Sequence, residues 1–168
     1  MENNDILIRL RYALEIKNKQ MAEIFKLGGV DVTVPEVIKI LTKTDEDDAV
    51  GVDQIKCNNS MFDSFLNGLI IFKRGKQEPK QGQPDMPEPS IKKGANVNNL
   101  LLKKVKIALA LTTEDMLDIF EKVGITVSKG ELGAFLRKEG QKNYKECGDK
   151  YARNFLKGLA VKYREDLN

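Results

Sequence analysis

The chain repeats itself. The stretch from Asn3-Asn4-Asp5-Ile6-Leu7 to Met21-Ala22-Glu23-Ile24-Phe25 returns as Asn98-Asn99-Leu100-Leu101-Leu102 to Met116-Leu117-Asp118-Ile119-Phe120, and Ser64-Phe65-Leu66-Asn67-Gly68-Leu69 returns as Asn154-Phe155-Leu156-Lys157-Gly158-Leu159. A repeated order of apolar and polar positions implies two copies of one supersecondary unit, because each copy leaves the same face to be covered. Units of this size are marginal alone: a domain of about 60 residues buries only about 60% of its unfolded surface. The two copies are therefore expected to gain stability by packing on each other.

Each copy reads as four helices. Ile6, Leu7, Leu10, Ala13 and Leu14, matched by Leu101, Leu102, Val105, Ala108 and Leu109, recur at three-four spacing and make one buried stripe. A second, shorter helix carries Met21, Ile24 and Phe25, or Met116, Ile119 and Phe120, and stops near Gly29 or Gly124, where glycine supplies the left-handed residue of a helix end. Thr33-Val34-Pro35-Glu36 and Ser128-Lys129-Gly130-Glu131 announce a third helix. In each, a hydroxyl cap with glutamate three residues on predicts reciprocal bonds to the free N–H groups of the first turn. A fourth follows Cys57 or Cys147, through Phe62, Phe65, Leu66 and Leu69 or Tyr151, Phe155, Leu156 and Leu159. The expected fold is all-α, a tandem duplication of a four-helix unit with no substantial sheet. Its boundaries are a first repeat over 1–75, a Pro/Gln/Gly-rich linker over 76–97 that holds four of the five prolines, and a second repeat over 98–168.

Taken together, the Asn-Asn helix start, Phe65-Leu66-Asn67-Gly68-Leu69-Ile70 followed by Lys73-Arg74-Gly75-Lys76, and Glu146-Cys147-Gly148-Asp149 leading to Phe155-Leu156-Lys157-Gly158-Leu159-Ala160 resemble the YehS-like family of small bacterial proteins. The resemblance spans nearly the whole chain and implies the internal duplication. It carries no activity, cofactor or catalytic residue onto these positions.

Histidine is absent, which removes the side chain that titrates nearest neutrality and the usual activator of Ser or Cys nucleophiles. No phosphate-binding glycine loop or Gly-x-Ser-x-Gly elbow occurs, and adjacent carboxylates such as Glu114-Asp115 diverge on a helix. The run Asp45-Glu46-Asp47-Asp48 fails the calcium-loop pattern, with Val50 where glycine is needed and Lys56 where glutamate is. The two cysteines are too few for a disulfide scaffold or a four-thiolate metal site, and read as small buried apolar residues. The expectation is thus a non-enzyme without cofactor or metal. The polar, acidic start Met1-Glu2-Asn3-Asn4-Asp5 and the lack of a long apolar run point to the cytoplasm and away from a membrane.

Two surfaces stand out. Gly68 and Gly158 lie mid-helix, where glycine costs about 0.5–1 kcal/mol against alanine, so another backbone should approach there. The expected partner is the helix bearing Ala13 or Ala108, or the other repeat across a pseudo-twofold axis. Phe65, Gly68, Leu69, Phe155, Gly158 and Leu159 are accordingly the candidate repeat-pairing or partner-binding face. Arg9, Arg11, Lys103, Lys104 and Lys106 form a candidate basic surface. The net charge of +3 is mild for a protein dominated by phosphate contacts. The leading expectation is a protein-binding module, self-association included, and the alternative is a nucleic-acid accessory protein gripping phosphates through the basic surface.

Overall fold

The structure, a computed structural model, describes residues 1–42, 54–75, 96–137 and 140–164. Eight helices and no strand occur among the described residues: α1 (Asn3–Leu14), α2 (Asn18–Leu27), α3 (Val34–Ile40), α4 (Asn59–Arg74), α5 (Val97–Ala108), α6 (Thr113–Glu121), α7 (Lys129–Leu136) and α8 (Asp149–Tyr163). The duplicated all-α architecture is therefore present, four helices to each copy. Most of the expected linker, and the acidic run at Asp45-Glu46-Asp47-Asp48, lie outside the described residues.

The apolar stripes do what their spacing implies. Ile6, Leu7, Leu10 and Ala13 of α1 and Leu101, Leu102 and Val105 of α5 are fully buried, as are Phe25, Phe62, Phe65, Phe120 and Phe155. Both copies leave their first helix through a left-handed residue, Glu15 at φ 53° and Ala110 at φ 52°, and their second through a left-handed glycine, Gly29 or Gly124. At Thr33 the expected reciprocal cap is complete: Thr33 Oγ1 accepts from Glu36 N at 3.2 Å, and Thr33 N donates to Glu36 Oε1 at 3.0 Å. At Ser128 only half of it forms. Ser128 Oγ accepts from Glu131 N, but the Glu131 carboxylate turns instead to the Tyr151 hydroxyl and the Lys145 ammonium.

The asparagine pairs tie each copy together. Asn4, buried, donates through Nδ2 to the carbonyls of Ile40 and Ile55 and accepts from Cys57 N, so one side chain satisfies three main-chain groups of the α3–α4 connection. Asn99 repeats the device on Phe135, Lys145 and Cys147. Asn3 and Asn98 reach the next residues along, Cys57 with Asn59 and Cys147 with Asp149. Both copies thus hold the start of their last helix beside the start of their first. Buried polar groups of a connecting segment must find partners, and these amides supply them.

The repeats pair by exchange: α1 of the first lies along α8 of the second, and α5 of the second along α4 of the first. α1 and α8 run parallel. The Met1 amino group meets Asp149 at 2.7 Å near their starts, and Arg164 donates to the Tyr12 carbonyl at 2.9 Å near their ends. The two seams, α1–α8 and α4–α5, are related by the pseudo-twofold implied by the duplication.

Candidate functional site

The candidate face of Phe65, Gly68, Leu69, Phe155, Gly158 and Leu159 is buried throughout. Close helix approach does occur at both glycines, but its partner is the second helix of the same copy. A Cβ on Gly68 would overlap the Ile24 carbonyl oxygen of α2 and stand 2.9 Å from Gly28 N. One on Gly158 would overlap the Ile119 carbonyl oxygen of α6. Neither Ala13 nor the other repeat is the neighbour met there. Phe65 packs on Phe25 with ring centroids 4.9 Å apart, and Phe155 on Phe120 at 5.8 Å, again within each copy. All six are buried, which leaves them no open face for an outside partner.

The basic residues separate. Arg9 is exposed; Arg11, Lys103 and Lys106 are half-buried, and Arg11 Nε is shielded from water with no hydrogen-bond partner among the described residues. Lys104 is not on the surface at all: only 5% exposed, it crosses the α4–α5 seam to pair with Asp63 and to donate to Asn67 Oδ1 at 2.7 Å. Desolvation lowers the Lys104 pKa, and the adjoining Asp63 carboxylate opposes that shift by favouring the ammonium. The basic stripe read from the sequence is therefore broken at its centre by a buried, inter-repeat ion pair.

Cys57 and Cys147 are buried and free, and burial pushes both thiols up to about 12. A thiol so shifted has almost no thiolate at neutral pH and is a poor nucleophile. Each instead offers its backbone N–H to Asn4 or Asn99. No group of three His, Cys, Asp or Glu side chains that could hold a metal occurs among the described residues, and no described helix is long and apolar enough to cross a membrane.

A family described as Protein of unknown function (DUF1456) matches residues 3–75 and again residues 98–165. The chain belongs to this family. Its two matched segments are the two structural copies, so the duplication seen in the helices is also carried by the family pattern. The Uncharacterized protein YehS of Escherichia coli (strain K12) is 40% identical over 162 residues, covering 96% of each chain. No solved structure matches.

What distinguishes the copies is now visible on their surfaces. α3 of the first shows Val34 and Ile38, one turn apart on one face, 38% and 49% exposed. The corresponding positions of α7 are Lys129, which reaches Glu114 at 3.4 Å, and Gly133. Neither α3 residue stood out in the sequence, where Val34 belongs only to the cap signal Thr33-Val34-Pro35-Glu36. Comparing each with its counterpart in the second copy was the available signal.

Proposed function

We propose that this is a non-catalytic, cytoplasmic protein-binding module, in which the paired repeats form a scaffold and α3 of the first presents the docking face. The observation that carries this reading is the exposure of Val34 and Ile38 where the sister copy has a salt-bridged lysine and a glycine. Exposed apolar side chains on one helix face gain by burial against a partner, at about 25 cal/mol per Å² of apolar area covered. The buried, free, high-pKa thiols agree with a reducing compartment and a non-chemical role.

The test compares wild type with Val34→Lys/Ile38→Ser, which gives α3 a surface like that of α7. Each is used for nuclease-treated affinity capture, and each is sized by light scattering across a concentration series. A protein retained by wild type and lost by the variant is expected; a concentration-dependent mass lost in the variant would make the partner a second copy. Identical capture and identical mass for the two would refute the proposal.

A further inference from the structure

The two seams between repeats are made by corresponding helices but differ in chemistry. At α4–α5, Lys104 is enclosed with Asp63 and Asn67. The pseudo-twofold carries Lys104 onto Arg9, Asp63 onto Arg153 and Asn67 onto Lys157, as the alignment of Ser64–Leu69 with Asn154–Leu159 requires. The α1–α8 seam therefore carries three cations at the positions where its twin holds a cation, a carboxylate and an amide. All three are exposed, and none forms an ion pair among the described residues. The charge of Arg153 does bear on Asp149, whose carboxylate already holds the Met1 amino group.

We propose that the α1–α8 seam binds single-stranded nucleic acid, with phosphodiesters on Arg9, Arg153 and Lys157 and a base on Tyr12. Exposed cations from two adjacent helices that form no ion pair among the described residues attract an external oxyanion, and a guanidinium matches phosphate oxygens in a bidentate way. Arg153 and Lys157 follow one another along α8 over about 6 Å at the helical rise of about 1.5 Å per residue. A row of that length suits successive phosphates of a strand better than one isolated carboxylate.

Further along the same seam Tyr12 is 59% exposed, the most open large apolar side chain described. One face of its ring carries the Arg164 guanidinium, 4.1 Å from the centroid. A base can stack on the other, as aromatic platforms do in sequence-tolerant single-strand binding. The sister seam has Ile107 at the Tyr12 position and offers no such platform.

The test is fluorescence anisotropy of a labelled, mixed-sequence single-stranded oligonucleotide across a salt series, on the full chain. Three phosphate contacts predict a slope of log K against log salt of about −2, from about −0.7 per contact on a single strand. Arg153→Asp/Lys157→Asn rebuilds the chemistry of the sister seam and should flatten the slope to about −0.7 while leaving the thermal midpoint in place. Tyr12→Ala should weaken binding about tenfold with the slope unchanged, the loss of one stacked base. The charge-matched control Lys19→Glu/Lys26→Gln on α2 should bind like wild type. No binding by wild type at low salt would overturn the proposal. So would equal weakening by the control, or polyglutamate displacing the strand at equal charge concentration, which would point to an acidic protein.

Discussion

Replacing Gly68 by alanine sets two effects of opposite sign against each other. In an isolated helix the change gains about 0.5–1 kcal/mol of propensity. Here the added methyl meets backbone, which has no rotamer through which to retreat: it overlaps the Ile24 carbonyl oxygen and stands 2.9 Å from Gly28 N. An ordinary contact requires α2 and α4 to part by roughly 1 Å or more, and the Phe25–Phe65 contact at 4.9 Å opens with them. Overpacking of this kind costs about 1–3 kcal/mol, and backbone-on-backbone overlap belongs at the upper end. The net loss is about 2 kcal/mol, a fall in thermal midpoint of about 4–8 °C for a chain of this size. Gly158→Ala should fall by less, because its overlap with Ile119 is shallower. Gly133→Ala, inside α7 with nothing within 4 Å of the new atom, should rise by about 1–4 °C. Calorimetry on the three variants decides the matter. Gly68→Ala as stable as wild type, or shifting in the same direction as Gly133→Ala, would refute the reasoning.

Other outcomes follow from the same contacts. Asn4→Leu or Asn99→Leu should each cost about 3 kcal/mol or more in chemical denaturation, because each strands three main-chain groups at about 1–3 kcal/mol apiece; a loss under about 1 kcal/mol would show the clamp to be idle. Both thiols should resist iodoacetamide in the native protein at pH 8, where a pKa of about 12 leaves about one thiolate in ten thousand, and should react on denaturation. Glu36 and Asp115 have carboxyl pKa values lowered chiefly by main-chain hydrogen bonds at Thr33 and Thr112. Their contribution is complete above the ordinary carboxylate range and is lost as pH falls through the lowered folded values. Glu36→Gln should therefore flatten the acid limb of a stability–pH curve, and an unchanged limb would remove the cap from the account.

The helices were legible because their signals are local. Three-four spacing set the buried stripes of α1 and α5, the Thr33 cap marked α3, and each of these signals appears twice. The neighbour of Gly68 was not legible: an absent side chain announces a close approach but says nothing about which backbone arrives, and the helix that does is α2 rather than α1 or the other repeat. Lys104 misled for a similar reason. A lysine beside Lys103 and Lys106 reads as one more surface cation until Asp63, far away in sequence, is placed across from it. Glu131 satisfied the sequence rule for a cap, yet Tyr151 and Lys145 outbid the local N–H. The cations Arg153 and Lys157 acquire meaning only when set against Asp63 and Asn67 at the other seam.

The exchange of helices between repeats is tested most directly by a double-mutant cycle on Lys104 and Asp63, which belong to different copies and meet only if α5 lies along α4. Lys104→Met and Asp63→Leu alone should each destabilise by about 3–5 kcal/mol, since each breaks a buried ion pair from one side, while the double variant should lose far less. Strictly additive losses would mean that the two side chains do not touch, and that the repeats do not pair in this way.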